Sequence, residues 1–252
     1  MVVRKMEKGI KLVEPIDGAH VSRGLRRRSR TRKKLLEAAY QVMSRRGVDA
    51  ATIQEITEQA DVGFGTFYNY FLSKQDLAAK VLDCMLNDLA IRNDLATMPY
   101  KHTDPARVQV FSARMTIREA VNEPMWHWWI QRPDLLADRM RECHMPFGLR
   151  DIYLAIRAGA FHLQESDAES VWGQTVWLMV GGMRDIILGH ESSGHERLIA
   201  DLLMRVVGIP PAIALELTTA PLPNHPPPNI DFSYDITTDP ALKKGSASQK
   251  FE

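Results

Sequence analysis

The apolar residues of this chain fall into helical stripes separated by glycine, proline and short polar breaks. Leu35, Ala39 and Val42 with Leu36, Ala38 and Met43 form a first stripe that ends at Gly47, a residue suited to a helix C-cap. Thr52 then precedes IQEITEQA, with Glu55 three residues on, the capping-box spacing. Asp61-Val62-Gly63 breaks that helix after Ala60, and a second short helix is expected over Phe64 to Phe71. Ser73 caps the next, with Asp76 at its third position, and Val81, Leu82, Met85 and Leu89 carry it towards Pro99. Further helices are expected at about 105–122, 124–130, 133–141, 148–158, 167–189 and 195–207. No stretch alternates with period two, and no repeat of 20–50 residues is visible. The pattern predicts an all-α chain.

Charge changes the picture by its distribution. The formal net charge is +1, but residues 1–76 hold 15 Lys+Arg against 9 Asp+Glu, and the other 176 hold 17 against 22. A basic third on an acidic body is the asymmetry expected when one end faces a polyanion. Eight basic residues and no acidic one fall in RGLRRRSRTRKK, Arg23 to Lys34, which reads as a solvated arm or as a phosphate-seeking one. After Gly208 the prolines and polar end indicate a tail without its own core, with Phe232 and Tyr234 available to anchor it to the body. The expected organisation is a flexible basic arm at 1–27, a small helical unit facing a polyanion at 28–90, a larger helical body at 91–210 and a Pro-rich tail at 211–252.

Several function classes find no support in the residues. MVVRKMEKGIKLVEP lacks the apolar core of a signal peptide, and Val171 to Leu188 is interrupted by Gln174, Arg184 and Asp185. Cys84 and Cys143 make no disulfide framework and suit a reducing cytosol. A cytoplasmic protein without a membrane partner is expected. Cys143-His144, His190 and His195 lack metal-ligand spacing, so no metal or cofactor is expected. No phosphate loop or nucleophile elbow is present, so no catalytic residue is named and the chain is not read as an enzyme.

A helix, a three-residue turn containing glycine and a second helix is the geometry of helix-turn-helix DNA binding. Ala60 allows the helices to pack closely, Asp61 tolerates unusual backbone angles, and Gly63 and Gly65 let the backbone approach a phosphate. The strings LLEAAYQVMSRRG and ATIQEITEQADVGFGTFYNYFLSKQDL, from Leu35 to Leu77, resemble the N-terminal domain of the tetracycline-repressor (TetR) family. The shared elements are the paired alanines, the glycine ending the first helix, Thr-Ile opening the second, Gly-Thr-aromatic-Tyr-x-Tyr-Phe and Ser-Lys-x-x-Leu. Later, LLMRVVGIPP resembles the way that family's last dimerisation helix often ends. Three positions depart from the family pattern. Asp61-Val62-Gly63 stands where Gly-Val-Ser is usual, Thr57 where Ala is, and Phe64 at a commonly polar position.

The resemblance implies that Thr52, Thr66, Tyr68, Tyr70 and Lys74 hold phosphates, while Gln54, Gly65 and Asn69 lie near base edges. Phe64 either touches a thymine methyl or packs against the following helix, and Phe67 and Phe71 are core residues. The resemblance further implies a homodimer that binds double-stranded operator DNA and answers to a small-molecule effector through its body. Helix 167–189, with Trp172 and Val176 on its stripe, and helix 195–207, with Leu198, Leu202 and Leu203, are the expected dimer interface. Trp126, His127 and Trp129, in the aromatic run Met125–Trp129, either border an apolar or aromatic effector cavity or build core. A ligand-responsive repressor is the reading that follows. An activator, a ligand-independent regulator, or an enzyme or carrier using the helical cavity are its rivals.

Overall fold

A computed structural model describes residues 23–238, and these contain helices and turns with no strand. The expected arm and the end of the expected tail, residues 1–22 and 239–252, lie outside the described residues. Three helical pieces form the head: α1 (Arg23–Arg46), α2 (Ile53–Gln59) and a 3-10 helix (Phe64–Asn69). The body is built from α4 (Pro105–Asn122), α5 (Pro124–Trp129), α6 (Pro133–Arg157), α7 (Ala168–Ile187), α8 (Glu196–Val206) and α9 (Pro211–Thr219). Between them α3 (Lys74–Thr97) packs on α1 at one end and on α4 and α6 at the other, so head and body share one helix. A domain boundary at 90 therefore falls inside a continuous element.

Local signals set the head. Gly47 ends α1 with φ +79°, and the Thr52 capping box opens α2. Leu35, Leu36, Met43, Ile56, Phe67 and Leu77 are fully buried and hold the pieces together. The helix begins earlier than its apolar stripe. Arg23 to Lys34 forms the first turns of α1 rather than an arm, because Arg, Lys and Leu are good helix formers and no proline interrupts them. Amphipathicity marks only the part of that helix with a core to cover.

Two differences arise in the body. The segments expected at 133–141 and 148–158 form one helix, α6, with Pro146 inside it. Proline removes a single N–H there, and burial of Met140, Cys143, His144 and Ile152 against neighbouring helices carries the helix through. The tail is also ordered as far as Thr238. After α9, which starts on Pro211, the Pro-rich stretch lies extended across the body and returns to the head. Arg114 of α4 donates to the Ala220 carbonyl at 2.7 Å, and the Asn229 amide donates to Asp88 of α3 at 3.1 Å. Phe232 is buried beside the Tyr40 ring of α1, 5.5 Å between centroids. Arg32 of α1 pairs with Asp235 at 3.3 Å and donates to the Tyr234 carbonyl. The tail is a strap joining α4, α3 and α1. Phe232 and Tyr234 do anchor it, but on α1 and α3 at the head rather than on the body as expected.

Candidate nucleic-acid interface and interior cavity

The turn between α2 and the 3-10 helix is tight because Asp61 takes φ +55°, the only non-glycine in that region among the described residues. An aspartate tolerates this conformation better than most side chains. The Val62 amide bonds back to the Thr57 carbonyl at 3.0 Å, which brings Gly63 out extended and starts the next helix at Phe64. Phe67 and Phe71 face the core, and Phe64, Gly65, Tyr68 and Asn69 face solvent. Thr66 and Tyr70 are half-buried, and the Arg28 guanidinium lies 5.8 Å from the Tyr70 ring centre.

The other residues named for DNA are partly committed within the chain. The Thr52 hydroxyl accepts from the Glu55 amide, and Gln54, exposed on α2, donates to Glu58 at 2.9 Å. Lys74 donates to the carbonyls of Asp49 and Ala51 at 2.7 and 2.8 Å. It braces the loop after α1, which leaves a single N–H free for a phosphate. The sequence reading missed a recess in which Arg27, Arg30 and Lys34 of α1 face Asp61, Gly63 and Thr66. Spacings of three and four residues put these cations on one face, a signal legible only once the basic run is taken as helix.

Neither Gly63 nor Gly65 is required by the fold. Both have negative or ordinary φ, and a Cβ at Gly65 would meet no atom of the chain within 4 Å. Gly65→Ala is therefore expected to leave the melting temperature unchanged or raise it, while weakening duplex DNA binding at least several-fold. Thermal unfolding and a titration with duplex DNA check both halves. Undiminished binding would show that nothing outside the chain needs the space.

Of the expected interface residues only Leu198 and Leu202 are exposed. Trp172, Val176 and Leu203 are buried within the single chain. Trp172 lies flat on Gly148, where a Cβ would stand 2.3 Å from the ring, and its Nε1 donates to the Arg141 carbonyl at 3.2 Å. The outward stripe of α7 is instead Gln174, Trp177, Gly181 and Arg184, continued by Leu188 at its C-cap, and α8 adds Leu198, Leu202 and Val206. Trp177, 47% exposed, was missed because it stands on the polar flank of its helix.

The aromatic run of α5 is divided among three environments. Trp126 and Trp129 are buried, their Nε1 atoms without a partner among the described residues. Trp128 donates from Nε1 to Asp49 at 2.8 Å and stacks under Arg132, tying the body to the head. His127 is exposed, near the Val121 carbonyl. None of these borders the body's interior cavity, which lies between α3, α4, α6 and α7. The three tryptophan rings of α5 are consumed by packing against the rest of the core.

The cavity measures about 40 Å³, counted as space open to the centre of a water-sized sphere. Its wall includes Asn93, Thr116, His144, Phe147, Trp172 and Met179, with Asp94 and Asp151 at its edge. The Asn93 amide donates to Thr116 Oγ1 at 2.9 Å, but its buried Oδ1 has no partner among the described residues. His144 is buried, and its Nε2 bonds to the Leu86 carbonyl at 2.9 Å. Burial pushes its pKa down to about 4, against a smaller upward pull from that carbonyl, so the ring is neutral near pH 7. A carbonyl can only accept, so Nε2 carries the proton and Nδ1 is a bare acceptor. Asp94 and Asp151 share Lys101 and Arg150. Burial raises the Asp151 pKa. At Asp94 burial acts the same way but is outweighed by the hydrogen bonds from Lys101 and Arg150, which lower it.

A basic head with a helix-turn-helix, joined through a shared helix to an all-helical body with a cavity between its helices, resembles in arrangement the DNA-binding transcription regulators. Residues 35–81 match the family described as bacterial regulatory proteins, tetR family. The match is confined to the head, which is similar to the N-terminal domain of that family. The uncharacterised HTH-type transcriptional regulator YvdT of Bacillus subtilis is 41% identical over 54 residues, 21% of this chain and 28% of that protein. The HTH-type transcriptional repressor DhaR of a Mycobacterium species is 39% identical over 62 residues, 25% and 31% of the two chains. These matches span under a third of the relatives' own length. Among solved structures, RolR in complex with the ligand resorcinol superposes with a TM-score of 0.69 at 26% identity, covering 80% of this chain and 99% of that one. The fatty acid degradation regulator FadR from Bacillus halodurans shares the fold, with a TM-score of 0.51 at 16% identity over 71% of this chain and 97% of that one. No described helix is long and apolar enough to cross a membrane.

Proposed function

We propose that this chain is a transcriptional repressor that binds a palindromic operator as a homodimer and releases it when a small hydroxylated aromatic ring occupies the body cavity. The observation that carries the reading is the unpartnered acceptor Asn93 Oδ1, buried in the wall of a cavity beneath a helix-turn-helix head. A buried polar atom without a partner costs about 1–3 kcal/mol, so the site favours a ligand that brings a donor. His144 Nδ1 supplies a second acceptor, and Trp172 and Phe147 supply aromatic walls. RolR, similar over nearly its whole length, is solved with resorcinol, a ring with two such donors.

The cavity as it stands holds about three waters, less than one aromatic ring. A ring must therefore displace side chains, and α6 yields most readily beside Pro146, next to Phe147 and Gly148. α3 carries Asn93 on the cavity and packs against α1, so movement there reaches the head. Binding to only one of two head arrangements shifts the population away from DNA. The homodimer is supported by the outward apolar residues Trp177, Leu198, Leu202 and Val206.

Selection of duplexes from a random pool, followed by titration with resorcinol, tests the reading. The expected result is one enriched near-palindrome, released as resorcinol is added, with a raised melting temperature for the liganded protein. Asn93→Leu is expected to keep the duplex and lose at least ten-fold in the resorcinol response. A pool that yields no enriched sequence would overturn the DNA-reading role. Release that is equally sensitive in Asn93→Leu would overturn the cavity as effector site.

A further inference from the structure

The short helix Phe64–Asn69 carries an exposed aromatic pair. Phe64 is 53% exposed and Tyr68, one turn on, is 56% exposed. The rings meet edge to face with centroids 6.0 Å apart at 69°, and Tyr68 also packs edge-on against the buried Phe67. Phe64 thus does not pack into the helix that follows. It is held upright by Tyr68, which is itself fixed to the core. Gly63 and Gly65 flank it, and the space beside Gly65 is open. Asn69, also exposed, gives the same short helix a side chain able to pair with a base edge.

We infer that Phe64, buttressed by Tyr68, reads the 5-methyl group of a thymine in the major groove, so that each operator half-site carries an obligatory thymine. The inference rests on the DNA-reading role proposed above. Its chemical basis is the groove itself. Base edges there present donors, acceptors and a single kind of apolar feature, the thymine C5-methyl. A phenyl ring has neither donor nor acceptor, and against a polar edge it would strip water without replacing its hydrogen bonds. The flanking glycines keep side chains out of the way of a close backbone approach.

Replacing thymine by deoxyuridine removes that methyl and leaves the pairing intact. In the selected duplex, deoxyuridine at one position per half-site is expected to weaken the wild-type chain about four-fold per methyl, or about fifteen-fold for both half-sites. Phe64→Ala is expected to bind the thymine duplex correspondingly less tightly and to be indifferent to the exchange. Its melting temperature should match wild type, as the exposed ring requires. The inference is overturned if no position in the wild-type complex responds to deoxyuridine, if Phe64→Ala responds equally, or if Phe64→Ala lowers the melting temperature by many degrees. Failure to select any duplex would instead remove the DNA-reading role on which it rests.

Discussion

Glu196→Ala is expected to destabilise the chain by about 3–5 kcal/mol, a large fraction of the stability of an ordinary domain. Glu196 opens α8 with its side chain almost fully buried, and its carboxylate is shared by two arginines of α4. Arg114 is equally buried and reaches it at 3.3 Å, whereas Arg118 binds it through two nitrogens at 2.5 and 2.7 Å and is half-exposed. Burial lowers the Arg114 pKa, with Glu196 pulling against it, and the hydrogen bond to Glu196 raises that of Arg118. Removing the carboxylate leaves the Arg114 guanidinium buried with, among the described residues, only the Ala220 carbonyl of the strap as partner. The loss is therefore the cost of an orphaned charge rather than of a contact. Arg118→Gln, which leaves the Glu196 carboxylate paired with Arg114, should cost less than Glu196→Ala. Urea unfolding with an unchanged m-value separates the two variants. A Glu196→Ala midpoint indistinguishable from that of Arg118→Gln would refute the account.

The second large effect is a dependence on pH. His144 has a folded pKa of about 4 against an ordinary 6.5. Between those values the unfolded chain binds a proton that the native chain refuses, so stability is intact above about pH 6.5 and falls as pH drops towards 4. The full difference amounts to about 3 kcal/mol. His225, lowered by burial and by Arg92, adds a slope of the same sign, so the comparison must be with a variant. His144→Gln can still donate to the Leu86 carbonyl but does not titrate, and its stability should fall more gently over this range. Parallel pH profiles for the two proteins, followed by chemical denaturation, would exclude the assignment. An effector that donates to Nδ1 should also bind less well once the ring is protonated.

Local signals made the head legible before any coordinates. Gly47, the Thr52–Glu55 box, Asp61 and the Ser73 cap each act within a few residues, and each specifies a backbone turn or a helix start that distant contacts leave alone. The same holds for the termini of α7 and α8, which the expected boundaries match within two residues. Basicity was legible too, but its conformation was not. The basic run carries no apolar stripe, so hydrophobic periodicity stopped at Leu35 while the helix continued back to Arg23.

Tertiary structure decided which neighbour each apolar surface meets. Trp172, Val176 and Leu203 form correct helical stripes, yet a stripe states only that one face must be covered. The single chain covers these three itself, and leaves Trp177, Leu198 and Leu202 outside. The tryptophans of α5 advertised a binding surface by their density, but density is also what a core requires. The cavity gathers Asn93, Thr116, His144 and Trp172 from four helices across some eighty residues of chain, and no local spacing relates them. The strap depends likewise on pairs such as Arg32–Asp235, two hundred positions apart. Backbone conformation here follows from short-range sterics and hydrogen bonds written in adjacent residues. The cavity, the strap and the outward face follow from packing, where each side chain's role depends on what the rest of the chain leaves beside it.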